Sequence, residues 1–263
     1  MKGFCPLASG SKGNCLYIGT ENTRLLIDAG LSAKMIVDKL AQIKVDIQQI
    51  DAVLITHEHI DHIRGLGVLC SKFNIPVFSN SETAKAIMAQ SHHPLKFKIF
   101  STGESFVYGD IEVYPFTIQH DAVDPVAFTF AFEGMKIGVC ADLGFASTLV
   151  ESRLRDCDYL YVEANHQPDM VHASARPMVY KQRVLGRQGH LSNESCAQLI
   201  RSVLHKNLKH IYLAHLSSEC NAPELALKIV REMLQSCGST VSVSIAQQDV
   251  ISQPVWFSSP SPV

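Results

Sequence analysis

Asp51-Ala-Val-Leu-Ile-Thr56, followed at once by His57-Glu58-His59-Ile60-Asp61-His62, joins a short apolar run to three imidazoles and two carboxylates. An apolar run of four residues bounded by polar ones reads as a buried strand. A loop leaving such a strand is where an α/β protein commonly places its chemistry. So many titratable groups in six positions are costly to hold together unless a cation sits among them. Imidazole nitrogen and carboxylate oxygen suit zinc, manganese or iron, whereas magnesium and calcium take mostly oxygen. The stretch therefore reads as a metal site on an α/β scaffold. A solvated polar turn would leave the three histidines unexplained.

Upstream of this stretch the pattern gives short strands at Phe4–Leu7, Asn14–Ile18 and Arg24–Asp28, then helical spacing over Ala33–Leu40. Downstream it gives helices at Gly65–Lys72 and Ser81–Gln90 around a strand at Pro76–Phe78. From Lys98 to Cys140 apolar and polar residues alternate between Gly109-Asp110 and Glu133-Gly134 turns, which predicts antiparallel strands. After Asp142 helices (Ala146–Arg155, Ser192–Leu204, Pro223–Gln235) alternate with strands (Tyr159–Val162, His210–Ala214, Thr240–Ile245). Ser192 is a candidate N-cap, and Pro223 stands in a first turn, where its missing N–H costs nothing. Sheets with helices on their outer faces give a four-layer αββα sandwich. One domain is expected over residues 1–257, with a short polar tail at 258–263.

The chain has 263 residues, 46% of them hydrophobic, enough for a large core and against a disordered tail. No apolar run is long enough to span a membrane and Met1-Lys2-Gly3-Phe4 opens no signal peptide, so a cytoplasmic protein is expected. The eight cysteines form no Cys-x-x-Cys pair and read as reduced, buried small hydrophobes. A net charge of −2 gives no general argument for nucleic acid. Between His172 and Leu191, however, Arg176, Lys181, Arg183 and Arg187 occur with no acidic residue, a candidate patch for a polyanion or simply a solvated helix face.

A two-metal site needs more ligands than the loop supplies. Asp28, His120, Asp142 and His215 each end an apolar run, although any one alone would read as a cap or turn residue. The order Asp28, His57-x-His59-x-Asp61-His62, His120, Asp142, His215 resembles the sequential motifs of the metallo-β-lactamase superfamily over nearly the whole chain. That resemblance implies the αββα sandwich and a dinuclear centre. In it His57, His59 and His120 bind one metal, Asp61, His62 and His215 the other, and Asp142 bridges them. Asp28 supports the histidine loop from behind the ligands. The 73 positions from Asp142 to His215 are too few for the cap domain inserted in ribonuclease J and related nucleases.

Ser9-Gly-Ser-Lys-Gly-Asn-Cys15, His120-Asp-Ala-Val-Asp-Pro125, Glu163-Ala-Asn-His166, Gly189-His-Leu-Ser-Asn193 and His215-Leu-Ser-Ser-Glu-Cys-Asn221 together resemble the YycJ/WalJ (VicX-like) members. That likeness implies a 5′→3′ exonuclease acting on double-stranded DNA and a part in DNA repair. The implied mechanism is attack on phosphorus by a hydroxide shared by the two ions, with Asp61 helping to orient it. His190, before a helix N-terminus, is a candidate for touching the phosphate or protonating the leaving oxygen, against a capping role. Ser11 and Asn14 either donate to phosphate or shape their turn. Glu163 and His166 read as supports behind the ligands. His92-His93, His172, His205 and His210 read as surface residues. The rival readings are a small-molecule (cyclic) phosphodiesterase, a thiolester or lactone hydrolase with an apolar acyl pocket, and a non-catalytic binding module.

Overall fold

A computed structural model describes residues 1–257; the tail at 258–263 lies outside the described residues. The chain divides into two compact units. Unit 1 comprises Met1–Phe100, Tyr108–Ile111 and the segment from Gln247, and unit 2 comprises Ser101–Val107 and Glu112–Ala246. The elements in chain order are β1 (Gly3–Ala8), β2 (Cys15–Gly19), β3 (Arg24–Ile27), α1 (Ala33–Gln42), β4 (Ala52–Leu54), α2 (Ile60–Ile63), α3 (Leu66–Phe73), β5 (Val77–Ser79), α4 (Ser81–Gln90) and β6 (Phe97–Ile99). There follow β7 (Phe106–Tyr108), β8 (Ile111–Thr117), β9 (Val126–Phe132), β10 (Met135–Cys140), α5 (Thr148–Leu154), β11 (Tyr159–Glu163), α6 (Pro168–Ala173) and α7 (Met178–Leu185). The last are α8 (Asn193–Val203), β12 (His210–Ala214), α9 (Pro223–Ser236), β13 (Ser242–Ile245) and β14 (Val255–Trp256).

The first sheet runs β14-β1-β2-β3-β4-β5-β6. β1, β2 and β3 pair antiparallel, while β4, β5 and β6 add in parallel to β3. Leu25, Leu26 and Ile27 lie opposite Ala52, Val53 and Leu54. This register brings the chain out of β3 at Asp28 and out of β4 at His57 on the same edge. Alternate strand residues (Cys5, Tyr17, Leu26, Val53, Val77) pack with Ile36 and Leu40 of α1, Leu66 and Leu69 of α3 and Ile87 of α4. Burying each such side chain contributes roughly 1.5–3 kcal/mol. Ser32 accepts from Met35 N and Asn80 from Thr83 N, capping α1 and α4.

The second sheet runs β13-β12-β11-β10-β9-β8-β7. Its β8-β9-β10 part is antiparallel, and β10 to β13 are parallel. Cys140 lies opposite Val162 and Glu163 opposite Ala214, so Asp142, Glu163 and His215 emerge from three neighbouring strands at one edge. Helices α5, α8 and α9 cover this sheet through Val150, Leu154, Leu199, Ile200, Val230 and Leu234. Ser192 caps α8 as expected, accepting from Ser195 N.

Two helix-covered sheets match the fold class read from the sequence. Three local expectations are corrected and one segment that the sequence reading did not delimit is defined. The run from Lys98 does not open antiparallel: β6 joins the first sheet parallel to β5, since α4 returns the chain by a crossover. The segment around Pro168–Leu185 holds two short helices on a small cluster of Val171, Val184 and Cys220. Seven cysteines are buried, but Cys237 at the end of α9 is exposed. His210 is half-buried, its Nε2 2.8 Å from Ser244 Oγ. Among the described residues no helix is long and apolar enough to cross a membrane.

Candidate metal centre

In unit 1 the ligand string leaves β4 and is bound to its surroundings by backbone first. Asn14 N donates to Asp61 O at 2.8 Å, Ala29 N to His62 O at 2.7 Å, and Gly30 N to Asn14 O at 2.9 Å. Gly30 is required for this approach, because a Cβ there would lie 1.6 Å from Asp61 O. The side chains follow. Asp28, with φ of 61°, turns its carboxylate under the loop and accepts from Thr56 N at 2.9 Å and from Thr56 Oγ1 at 3.0 Å. Its Oδ2 is 2.7 Å from His62 Nδ1. A carboxylate only accepts, so Nδ1 of His62 carries the proton and Nε2 is left as the lone-pair atom. Thr56 Oγ1 gives its one proton to Asp28 and therefore accepts from His57 Nδ1 at 2.9 Å, which sets the same tautomer on His57. The His57 ring stands 4.0 Å from that of His62 and 4.6 Å from that of His59, centroid to centroid.

In unit 2 the organising group is Glu163, fully buried at the end of β11. Its Oε2 accepts from Leu143 N at 2.7 Å and Leu191 N at 3.1 Å, and its Oε1 lies 2.8 Å from His190 Nδ1 and 3.0 Å from His215 Nδ1. Burial alone would raise this carboxyl, but the charge of His190 and hydrogen bonds from His190 and His215 hold it below the usual carboxylate range. One carboxylate thus fixes two imidazoles with Nε2 presented. His120 reaches the same tautomer by a different partner, its Nδ1 lying 3.2 Å from the Gly189 carbonyl. Burial lowers the His120 pKa, with Asp142 pulling the other way. Asp142 (φ 55°) and His215 (φ 54°) are both left-handed, and Asp142 Oδ1 lies 3.2 Å from His215 Nδ1. Such backbone is costly for residues with a Cβ and persists where its surroundings over-determine it.

Ligand atoms of Asp142, Glu163, His190 and His215 all lie within 4.8 Å of one another. Because Glu163 Oε1 already faces both Nδ1 atoms at hydrogen-bond distance, we assign it to orienting the imidazoles. The donor set in each unit fits a His/Asp-bound divalent cation: clustered imidazoles with the tautomer fixed from behind, beside carboxylates. Burial pushes the Cys140 and Cys196 thiols up, which keeps them protonated.

The remaining sequence-predicted residues fall differently. Asn14 sits on the ligand loop, with its Nδ2 3.0 Å from His62 Nε2 and 3.3 Å from Asp61 Oδ2. Ser11 is exposed in its turn. His166 is buried behind β11, its Nδ1 without a hydrogen-bond partner, and burial lowers its pKa to about 4. Arg176 is paired with Glu219 and Arg183 with Asp121, Lys181 donates to the His172 carbonyl, and Arg187 lies over the Phe145 ring. Sequence reading missed Thr56, although a hydroxyl at the junction of an apolar run and a ligand string was a signal. It also missed Asn165, whose Nδ2 donates to the His215 carbonyl at 2.7 Å.

Comparison with known proteins places this geometry. The chain is 38% identical over 249 residues, 94% of its own length and 94% of the relative's, to exodeoxyribonuclease YycJ of Bacillus anthracis. It is 38% identical over 236 residues, 88% of the chain and 87% of the relative, to exodeoxyribonuclease WalJ of Streptococcus pneumoniae serotype 2. The metallo-β-lactamase fold protein YhfI of Bacillus subtilis superposes with a TM-score of 0.72 at 15% identity, over 97% of this chain and all of that one, a likeness of fold. A sequence profile of the metallo-β-lactamase superfamily matches residues 8–172. With its ordered His and Asp motifs and its two helix-covered sheets, the chain belongs to the metallo-β-lactamase superfamily.

Proposed function

We propose that this chain is a metal-dependent phosphodiester hydrolase that removes nucleotides from the 5′ end of double-stranded DNA. The observation that carries the reading is likeness over 94% of both chains to a protein named an exodeoxyribonuclease. Family resemblance implies that two divalent ions (zinc, manganese or iron) would be held by His57, His59, His120, Asp61, His62, His215 and Asp142. We read residues 1–257 as one catalytic domain. Unpaired cysteines fit a cytoplasmic location.

When bound, such ions acidify water and stabilise negative charge on phosphoryl oxygens. The chain's own residues do the rest. Asp28 and Glu163 hold imidazoles in one tautomer, and Asp61 orients the attacking water. His190, held through its Nδ1 by the buried Glu163 carboxylate, gives a proton to the leaving oxygen. Ser11 and the segment from Arg176 to Arg187 contact phosphates.

Digestion of a linear, end-labelled duplex with manganese tests this reading. Progressive loss from the 5′ end, abolished by chelator and by Asp61→Ala, is the expected result. No digestion by protein loaded with metal rejects it. Small phosphodiesters are the second reading, favoured by the pairing of Arg176 and Arg183 with acidic neighbours, which takes two cations from the proposed DNA contact.

A further inference from the structure

Unit 1 carries a cavity of about 230 Å3 that the ligand set does not use. It opens beside the ligand string, because Ile60, between His59 and Asp61, forms one wall. Ile63 of α2, Leu66 and Val68 of α3, Ile87 of α4 and Leu95 complete an apolar interior. Ile60 is 58% and Val68 47% exposed. Contiguous exposed apolar side chains rimmed by polar residues are a candidate ligand-binding surface.

The rim is of different chemistry. Arg64, Gln90, His92 and His93 border the opening. The His93 ring lies against the backbone of α3, for a Cβ on Gly67 would come 2.7 Å from His93 Cδ2. Its loop is tied down by Ser71 Oγ donating to Pro94 O at 3.1 Å and by His93 N donating to Ser91 Oγ at 3.1 Å. Arg64 is held beside the ligand string by Nη1 donating to Lys12 O at 2.8 Å.

We propose that this cavity receives the nucleobase adjoining the scissile phosphate at a DNA strand end, with Arg64 on a neighbouring phosphate. The proposal rests on the nuclease reading above. A nucleobase offers flat apolar faces to Ile60, Leu66 and Val68, a π-face to His93, and an edge of donors and acceptors to Gln90 and His92. Stacking on an aromatic ring accepts every base, as an enzyme moving along a strand requires. A strand end also gives up its base cheaply, since unpairing costs least where stacking is incomplete. An acyl chain would match the interior and leave the charged and amide rim without a role.

The test uses metal-loaded protein and two duplexes that differ only at the 5′-terminal nucleotide, thymidine or an abasic tetrahydrofuran residue. One stacked base contributes about tenfold in affinity. The expected result is a KM about tenfold higher for the abasic end, with the ratio falling toward one in His93→Ala and in Gly67→Ala. His93→Ala, an exposed position, keeps a folded variant available should Gly67→Ala unfold. A 5′-terminal 2-aminopurine bound by Asp61→Ala protein gives a readout free of turnover, expected to change in fluorescence and to lose that change when His93→Ala is added. Equal KM values for the two ends in the unsubstituted protein overturn the pocket and leave the nuclease reading standing. Cleavage of neither duplex overturns both. Hydrolysis of a fatty acyl thiolester with a KM raised by His93→Ala would assign the cavity to an acyl chain and overturn the nucleobase.

Discussion

Asp28 and Glu163 perform one task in two units: a buried carboxylate accepts imidazole Nδ1 protons and so turns each Nε2 outward. At Asp28 the charge can be separated from the backbone, because asparagine tolerates the left-handed conformation that position adopts. Asp28→Asn keeps the turn but sets an amide against the His62 Nδ1 proton. Metal affinity should fall about 10–100-fold with the thermal unfolding midpoint of the metal-free protein nearly unchanged. Retained metal after dialysis and calorimetric titration measure this, and undiminished retention would reduce Asp28 to a turn residue. Asp28, His120, Asp142 and His215 each read singly as a cap or turn residue, whereas the His57–His62 string was legible because three imidazoles and two carboxylates crowd into six positions. The relay from Asp28 through Thr56 to His57 was not, since a threonine after a strand is common and its partner is 28 positions away. Asn14 was read either as a phosphate donor or as shaping its turn; its Oδ1 accepts from Gly10 N at 2.8 Å and its Nδ2 lies 3.0 Å from His62 Nε2, a placement that composition cannot carry.

Strands were legible where apolar runs of four to six residues fall between turn residues and are too short for a helix. His210–Ala214 and Ser81–Gln90 are as expected to the residue. The helices α6 and α7 were not delimited, since short, mostly exposed helices on a three-residue cluster have almost no apolar periodicity to read. The pairing of β6 depended on a crossover, which is a property of two elements and not of one. On β12, His210 packs edge-on to Tyr212 and its pKa is lowered to about 4 by burial. The unfolded chain takes up this proton near pH 6.5 and the folded chain only near 4, so His210 favours unfolding increasingly as pH falls across that window. Urea unfolding between pH 7 and 4 should therefore show stability falling toward pH 4, and His210→Gln should flatten part of the slope. An identical slope in the variant would place the pH dependence elsewhere.

For the molecule as a whole, salt dependence reports how many phosphates the surface neutralises. Each Lys or Arg on a phosphate adds about one unit to the slope of log affinity against log salt. Changing Arg176, Lys181, Arg183 and Arg187 together to glutamine should lower that slope by about two, not about four, because Glu219 and Asp121 already neutralise Arg176 and Arg183. A fall of about four would mean that both ion pairs open on DNA, and no fall would make the segment a scaffold. The left-handed residues bear on heredity and design. Asp28, Asp142 and His215 occupy dihedrals that most side chains avoid, so each candidate ligand or support is addressed by the shape of the chain as well as by its chemistry. Moving one of them a single position along its strand would put the left-handed turn on a neighbour and swing the donor to the opposite face. A lineage can therefore exchange the substances these groups act on far more readily than it can relocate the groups, and a designer grafting them onto another sheet must transplant the bend before the side chain.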